Sequence, residues 1–198
     1  MKMEKTIWVL VLGVLLQAPA FGQMKLGLKG GLNLSTLLMR NESGNCSVDL
    51  FDSRVGHYFG VALELPMGRF LAFQGEALYS VKGAEGDPST ISERLTYLNF
   101  PILLKIMPIR NVYLNGGVEL GYRIQREGPV VPLAENREDL AYVLGLSVEL
   151  GTHFGVDLRY IGGLTDLGSV FCTDASGQTI GEGHLRNRVF QLGVHYFL

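Results

Sequence analysis

Four histidines, two cysteines and a series of evenly spaced charges are the groups in this 198-residue sequence that have chemistry to offer. Hydrolytic or acyl-transfer chemistry of the serine type needs a His beside a Ser and an orienting acid. No Ser shares the strand face of His57, His153 falls in a short turn, His184 lies in a long polar segment, and His195 sits on the polar side of the final strand. These positions assemble no nucleophile, and H-E-x-x-H and C-x-x-C are both missing, so no catalytic residue, metal or cofactor is expected. Cys46 and Cys172 lie in two different long connections. If the first and last strands are neighbours, those connections rise side by side, and in an oxidising space a Cys46–Cys172 disulfide is expected. Two free thiols is the alternative.

The charges point to the elements that carry them. From Met24 onward the apolar period is two, the period of strands with unlike faces. Leu26, Leu28, Leu32 and Leu34 alternate with Lys25, Lys29 and Asn33, and the pattern recurs from Arg54 to Leu65, Leu71 to Lys82, Tyr97 to Ile106, Val112 to Ile124, Leu140 to Leu150, Phe154 to Ile161 and Val189 to Leu198. That makes eight strands. Five of them carry two charges each (Lys25 and Lys29, Arg54 and Glu64, Glu76 and Lys82, Glu119 and Arg123, Asp157 and Arg159), and every pair shares a parity. The opposite faces hold no Asp, Glu, Lys or Arg at all. Lipid imposes such a ban, since a charge on the lipid face of a strand costs roughly 2–4 kcal/mol at the bilayer midplane.

Connections and tyrosines agree with that reading. Those after the second, fourth and sixth strands are short (Pro66 to Arg69, Met107 to Asn111, Gly151 to His153); those after the first, third, fifth and seventh are long and polar, the last reaching from Gly162 to Arg188. Short periplasmic turns and long extracellular loops belong to an eight-stranded antiparallel transmembrane β-barrel. Tyr79, Tyr122, Tyr142 and Tyr160 fall on the apolar face beside the long loops, where an aromatic girdle meets the lipid headgroups. The final VFQLGVHYFL alternates to its end, like the strand read by outer-membrane assembly machinery, although Leu198 replaces the usual terminal Phe.

A barrel of eight strands is just wide enough for side chains to fill it. Its inward face would hold Lys29, Arg54, Lys105, Arg123 and Arg159 with Glu64, Glu76, Glu119, Glu149 and Asp157, an internal ion-pair network for which inward glycines make room. A gated ion path along those charges is the competing use.

Composition sets the outer limits. Glycine numbers 26, nearly double the usual share of roughly 7%, without a G-X-Y period. A net charge of -2 and no basic run leave no electrostatic case for nucleic acid. Residues 1–22, with Lys2, Lys5, an apolar run from Ile7 to Leu16 and an A-x-A ending at Ala20, have the form of a secretory signal peptide, leaving 23–198 as the barrel domain. A lipocalin-like soluble carrier would invert the faces and have short loops at both ends, which the sequence lacks.

The segments KLGLKGGLNLSTL, YLNFPILLK, VYLNGGVELGYRI and LGVHYFL resemble the PorT-like outer-membrane β-barrel family of Gram-negative bacteria. The resemblance covers the whole mature chain and implies an outer-membrane location, lipid contact and no catalytic residue. Its namesake is linked to protein secretion, so an envelope or secretion complex is an implied partner class. The combined expectation is a filled barrel that displays loops or docks an envelope assembly. The alternatives are a narrow porin-like ion channel or, further off, an enzyme that modifies lipid A.

Overall fold

Alternation at the first strand sets the pattern for the whole wall: Leu28 is 64% exposed on the outside, whereas its neighbour Lys29 is 4% exposed and points in. The computed structural model describes residues 24–41, 52–85, 92–127, 137–166, 168–173 and 179–198. Among these, nine strands form: β1 (Lys25–Asn41), β2 (Asp52–Pro66), β3 (Leu71–Glu85), β4 (Ser92–Ile109), β5 (Val112–Glu127), β6 (Glu138–Glu149), β7 (Phe154–Gly163), β8 (Gly168–Thr173) and β9 (Thr179–Phe197).

Eight of them close a barrel. Antiparallel neighbours run from β1 to β7, then β9, and β9 returns to pair with β1. Following paired residues from Glu149 through Gly155, His195, Lys29, Gly60, Leu78, Asn99 and Gly121 leads back to β6 at Asp139, ten residues further along. That stagger requires the strands to tilt, by about 35–45° in barrels of this kind.

The three short turns sit at one end, and each uses one residue with positive φ: Gly68 (93°), Asn111 (67°) and Gly151 (97°). Glycine, or asparagine with its locally bonding side chain, enters that region at least cost. At Pro101 the β3–β4 ladder passes from Gly75↔Ile102 directly to Leu78↔Asn99, because proline has no N–H to give. The β5 ladder continues through it, at Pro101↔Glu119, so β4 stays whole.

At the extracellular end two features depart from the sequence reading. The long connection from Gly162 to Arg188 is largely strand: β8 pairs with the upper half of β9, while Thr36 to Asn41 of β1 pairs with its other edge. A three-stranded ribbon therefore rises beyond the end of β7. Glycines and threonines dilute the alternation there, which hides the strands in the sequence. Strict alternation also fails near the rim, where Ser80, Val81 and Lys82, and likewise Leu95, Thr96 and Tyr97, are buried in succession. Register shifts between Ser53 and Tyr58 and between Thr96 and Tyr97 lie beside these stretches, as expected of bulges at a barrel rim. Val81 accordingly turns away from lipid. The leader segment 1–22 and Cys46 lie outside the described residues, and with Cys46 the proposed pairing to Cys172.

Because Leu158 stands on the outer face near mid-wall, Leu158→Arg is expected to lower folding stability in lipid vesicles by roughly 2–4 kcal/mol, read by denaturant titration.

Candidate functional site

The barrel interior gathers the chemistry-bearing side chains. At the short-turn end, Lys105 Nζ lies 2.6 Å from Glu64 and 3.7 Å from Glu149, and Lys25 reaches Glu64 at 3.5 Å. Glu149 stands 3.2 Å from His195 Nε2, and His195 Nδ1 is 2.8 Å from Asp157. Lys29 then bridges inward, 2.9 Å from Asp157 and 3.0 Å from Glu76. Arg159 closes the series as a two-pronged donor to Glu76, at 2.8 and 2.7 Å. From Lys25 to Arg159 the ion contacts are continuous. Lys25, Lys29, Lys105 and Arg159, with His195 as a fifth basic group, face Glu64, Glu76, Glu149 and Asp157.

Strand order explains the juxtaposition. Lys29, Glu76 and Arg159 come from β1, β3 and β7, far apart in sequence, but the inward parity of each strand and the stagger bring them to one level. Glycine clears the space: a Cβ at Gly155 would overlap the His195 ring, and one at Gly193 would overlap the Tyr58 hydroxyl. Neutral donors fill in around the charges. Asn115 donates to Ser147 at 2.6 Å, Ser147 donates to Asp157, and Gln74 to Glu76.

A second cluster occupies the extracellular half. Lys82 and Asn99 both donate to Glu119 at 2.8 Å, and Asn187 donates to Asp139 at 2.7 Å. Arg123 is buried at that end, and Arg54 is half-buried at the end of the β1–β2 ladder. On one flank the lumen is apolar, with Leu103, Ala141, Val143, Ile161 and Val189 packed together. Arg159, Tyr58, Tyr97, Lys105, Leu103 and His195 are each less than 2% exposed, so large side chains occupy the bore.

His195, Asp139 and Asn187 were not assigned to the ion network from the sequence. His195 joins two carboxylates; an imidazole donates to both such partners only as imidazolium. Asp139 and Asn187 were assigned to loops, although each shares the inward parity of its strand (Ala141 and Val143; Gln191 and His195), which was the available signal. Ser147, Asp157 and His195 do meet, but hydroxyl and imidazole both point at the carboxylate. A serine nucleophile would need the hydroxyl on the imidazole.

The tyrosines stand on the outer surface. Tyr122 is 43% exposed; Tyr79 packs on Phe59 with centroids 5.2 Å apart, Tyr142 on Tyr160 at 5.9 Å, and Tyr160 on Phe190 at 5.1 Å.

Comparison with known proteins places this geometry. The family model described as "Outer membrane protein beta-barrel domain" matches residues 17–168. Among solved structures, Ail, the attachment invasion locus protein of Yersinia pestis, in complex with the heparin analogue sucrose octasulfate, is 16% identical with a TM-score of 0.50, over 88% of this chain and 99% of that one. Neisserial surface protein A is 12% identical with a TM-score of 0.50, over 86% of this chain and 96% of the other. At these identities the likeness is one of fold. No curated protein matches the sequence.

Removing one partner from a buried ion pair leaves an uncompensated charge, at a cost of about 3–5 kcal/mol. Glu76→Gln takes from Arg159 its acid partner and leaves Lys29 with Asp157 alone, so it is expected to lose stability in that range in a denaturant titration, while a change at exposed Glu138 leaves the midpoint unmoved.

Proposed function

The chain belongs to the outer membrane protein beta-barrel domain family, and from that premise we propose that it is a closed, membrane-anchored interaction protein of the Gram-negative outer membrane and not a diffusion pore. The occupied bore carries this reading: its charges bond to one another, and large buried side chains stand where a solute would have to pass. Such a lumen stiffens an anchor. The working surfaces are then the two rims.

The extracellular ribbon of β1, β8 and β9 supports an interaction role, because it carries strand pairing beyond the end of β7 and gives a rigid base for display. The reading includes no catalytic step: Ser147 is fully buried and hydrogen-bonded away from His195. The PorT-like character of the YLNFPILLK and VYLNGGVELGYRI segments suggests docking to an envelope or secretion assembly through the turns or ribbon, with lipid as the constant neighbour and the terminal strand as the handle for outer-membrane assembly machinery. Crosslinking in intact outer membranes, followed by mass spectrometry, would identify such a partner.

A narrow ion path is the second reading, favoured by the unbroken contacts from Lys25 to Arg159. Planar-bilayer recording separates the two. The expected result is no steady single-channel step for the folded barrel; a stable conductance abolished by Glu119→Lys would replace the anchor reading with the ion path.

A further inference from the structure

The turns that follow β2 and β4 are neighbours, because Leu71 pairs with Ile106 and the Met107 N–H donates to the Phe70 carbonyl at 2.8 Å. Each turn carries one exposed arginine, Arg69 or Arg110, and both line a single cleft of about 510 Å³ with Phe70, Met107 and Pro108. Among the described residues neither guanidinium has an acid partner; Arg69 instead lies 6.0 Å from the centroid of the Phe70 ring. The apolar surface does not stop at this cleft. Phe70 (60%) and Ile109 (69%) are exposed beside it, and the exposed outer wall continues upward through Leu71, Phe73, Leu104 and Ile106.

Two uncompensated cations at the foot of a lipid-facing wall, with greasy side chains between them and the wall, define one kind of occupant. A guanidinium offers parallel N–H donors that match phosphate oxygens. We propose that this cleft holds the headgroup phosphate of an anionic glycerophospholipid from the periplasmic leaflet, with its acyl chains lying along Phe70 and Ile109 and up the wall. A zwitterionic headgroup fits less well, because its ammonium would be brought near two guanidinium groups. A free anion would satisfy the arginines but leave the apolar rim uncovered.

Native mass spectrometry of the full barrel in mild detergent, with phosphatidylglycerol or phosphatidylcholine of identical acyl chains, tests the site. Wild-type protein is expected to retain phosphatidylglycerol preferentially, and Arg69→Gln with Arg110→Gln to lower that preference roughly tenfold or more, each arginine near a charged surface contributing about the strength of one such contact. Heat-modifiable gel migration checks that the variant is folded; should the pair fail to fold, each single Gln variant is expected to show part of the loss. Equal retention of the two lipids by wild-type protein, or an undiminished preference in folded variants, would overturn the proposal. Displacement of bound lipid by millimolar inorganic phosphate alone would also overturn it, by showing a simple anion site.

Discussion

Hydrocarbon offers no hydrogen-bond partner to a backbone N–H or C=O, so a strand in lipid must be paired on both edges. Everything else in this barrel answers to that constraint. Pairing of β1 with β9 removes the last open edges, and a closure of eight strands staggered by ten residues fixes how narrow the bore is. Within that bore a side chain meets other side chains. The alternating sequence then has only one solution: aliphatic residues outward, and inward a set of charges that must satisfy one another.

The arithmetic of the interior follows. An isolated charge in such a place is expensive, and the penalty falls only when partners with good geometry surround it. Glu76 accepts from Lys29, Gln74 and Arg159, and Asp157 from Lys29 and Ser147 with His195 beside it. In the lower network only Lys25, which stands partly in solvent, and Arg159, held to Glu76 through two hydrogen bonds, pair with a single acid. Such redundancy suits the proposed anchor role, which asks the barrel to hold its shape.

Most of the wall was legible in the sequence, because lipid enforces alternation so strictly that the parity of a charge decides its side. Lys29, Glu76 and Arg159 could be assigned to one interior from parity alone. Their actual pairing could not, since it depends on the stagger, a property of closure that no single strand encodes. Legibility failed where lipid ends. Around Val81 and Thr96, bulges shift the faces, and Gly168 to Thr173 pairs through its backbone with Thr179 to Leu185 without an alternating signature. Asp139 and Asn187 went unassigned for the same reason: they sit where the apolar rhythm that marks a strand has already faded.

The seam between β1 and β9 also dictates an order of events. Its partners are the first and last strands of the barrel, so their meeting carries the largest loop-closure cost in the chain, and contacts that distant in sequence form slowly. Lys29, on the first strand, finds Asp157 only across that seam. A barrel that has not yet closed therefore lacks the Lys29–Asp157 contact, leaving Lys29 with Glu76 and Asp157 with His195 and Ser147, and charges so thinly partnered favour water over hydrocarbon. The ionic interior is thus a brake as well as a brace: it makes insertion of an incomplete barrel costly, and releases that penalty when the ends of the barrel meet.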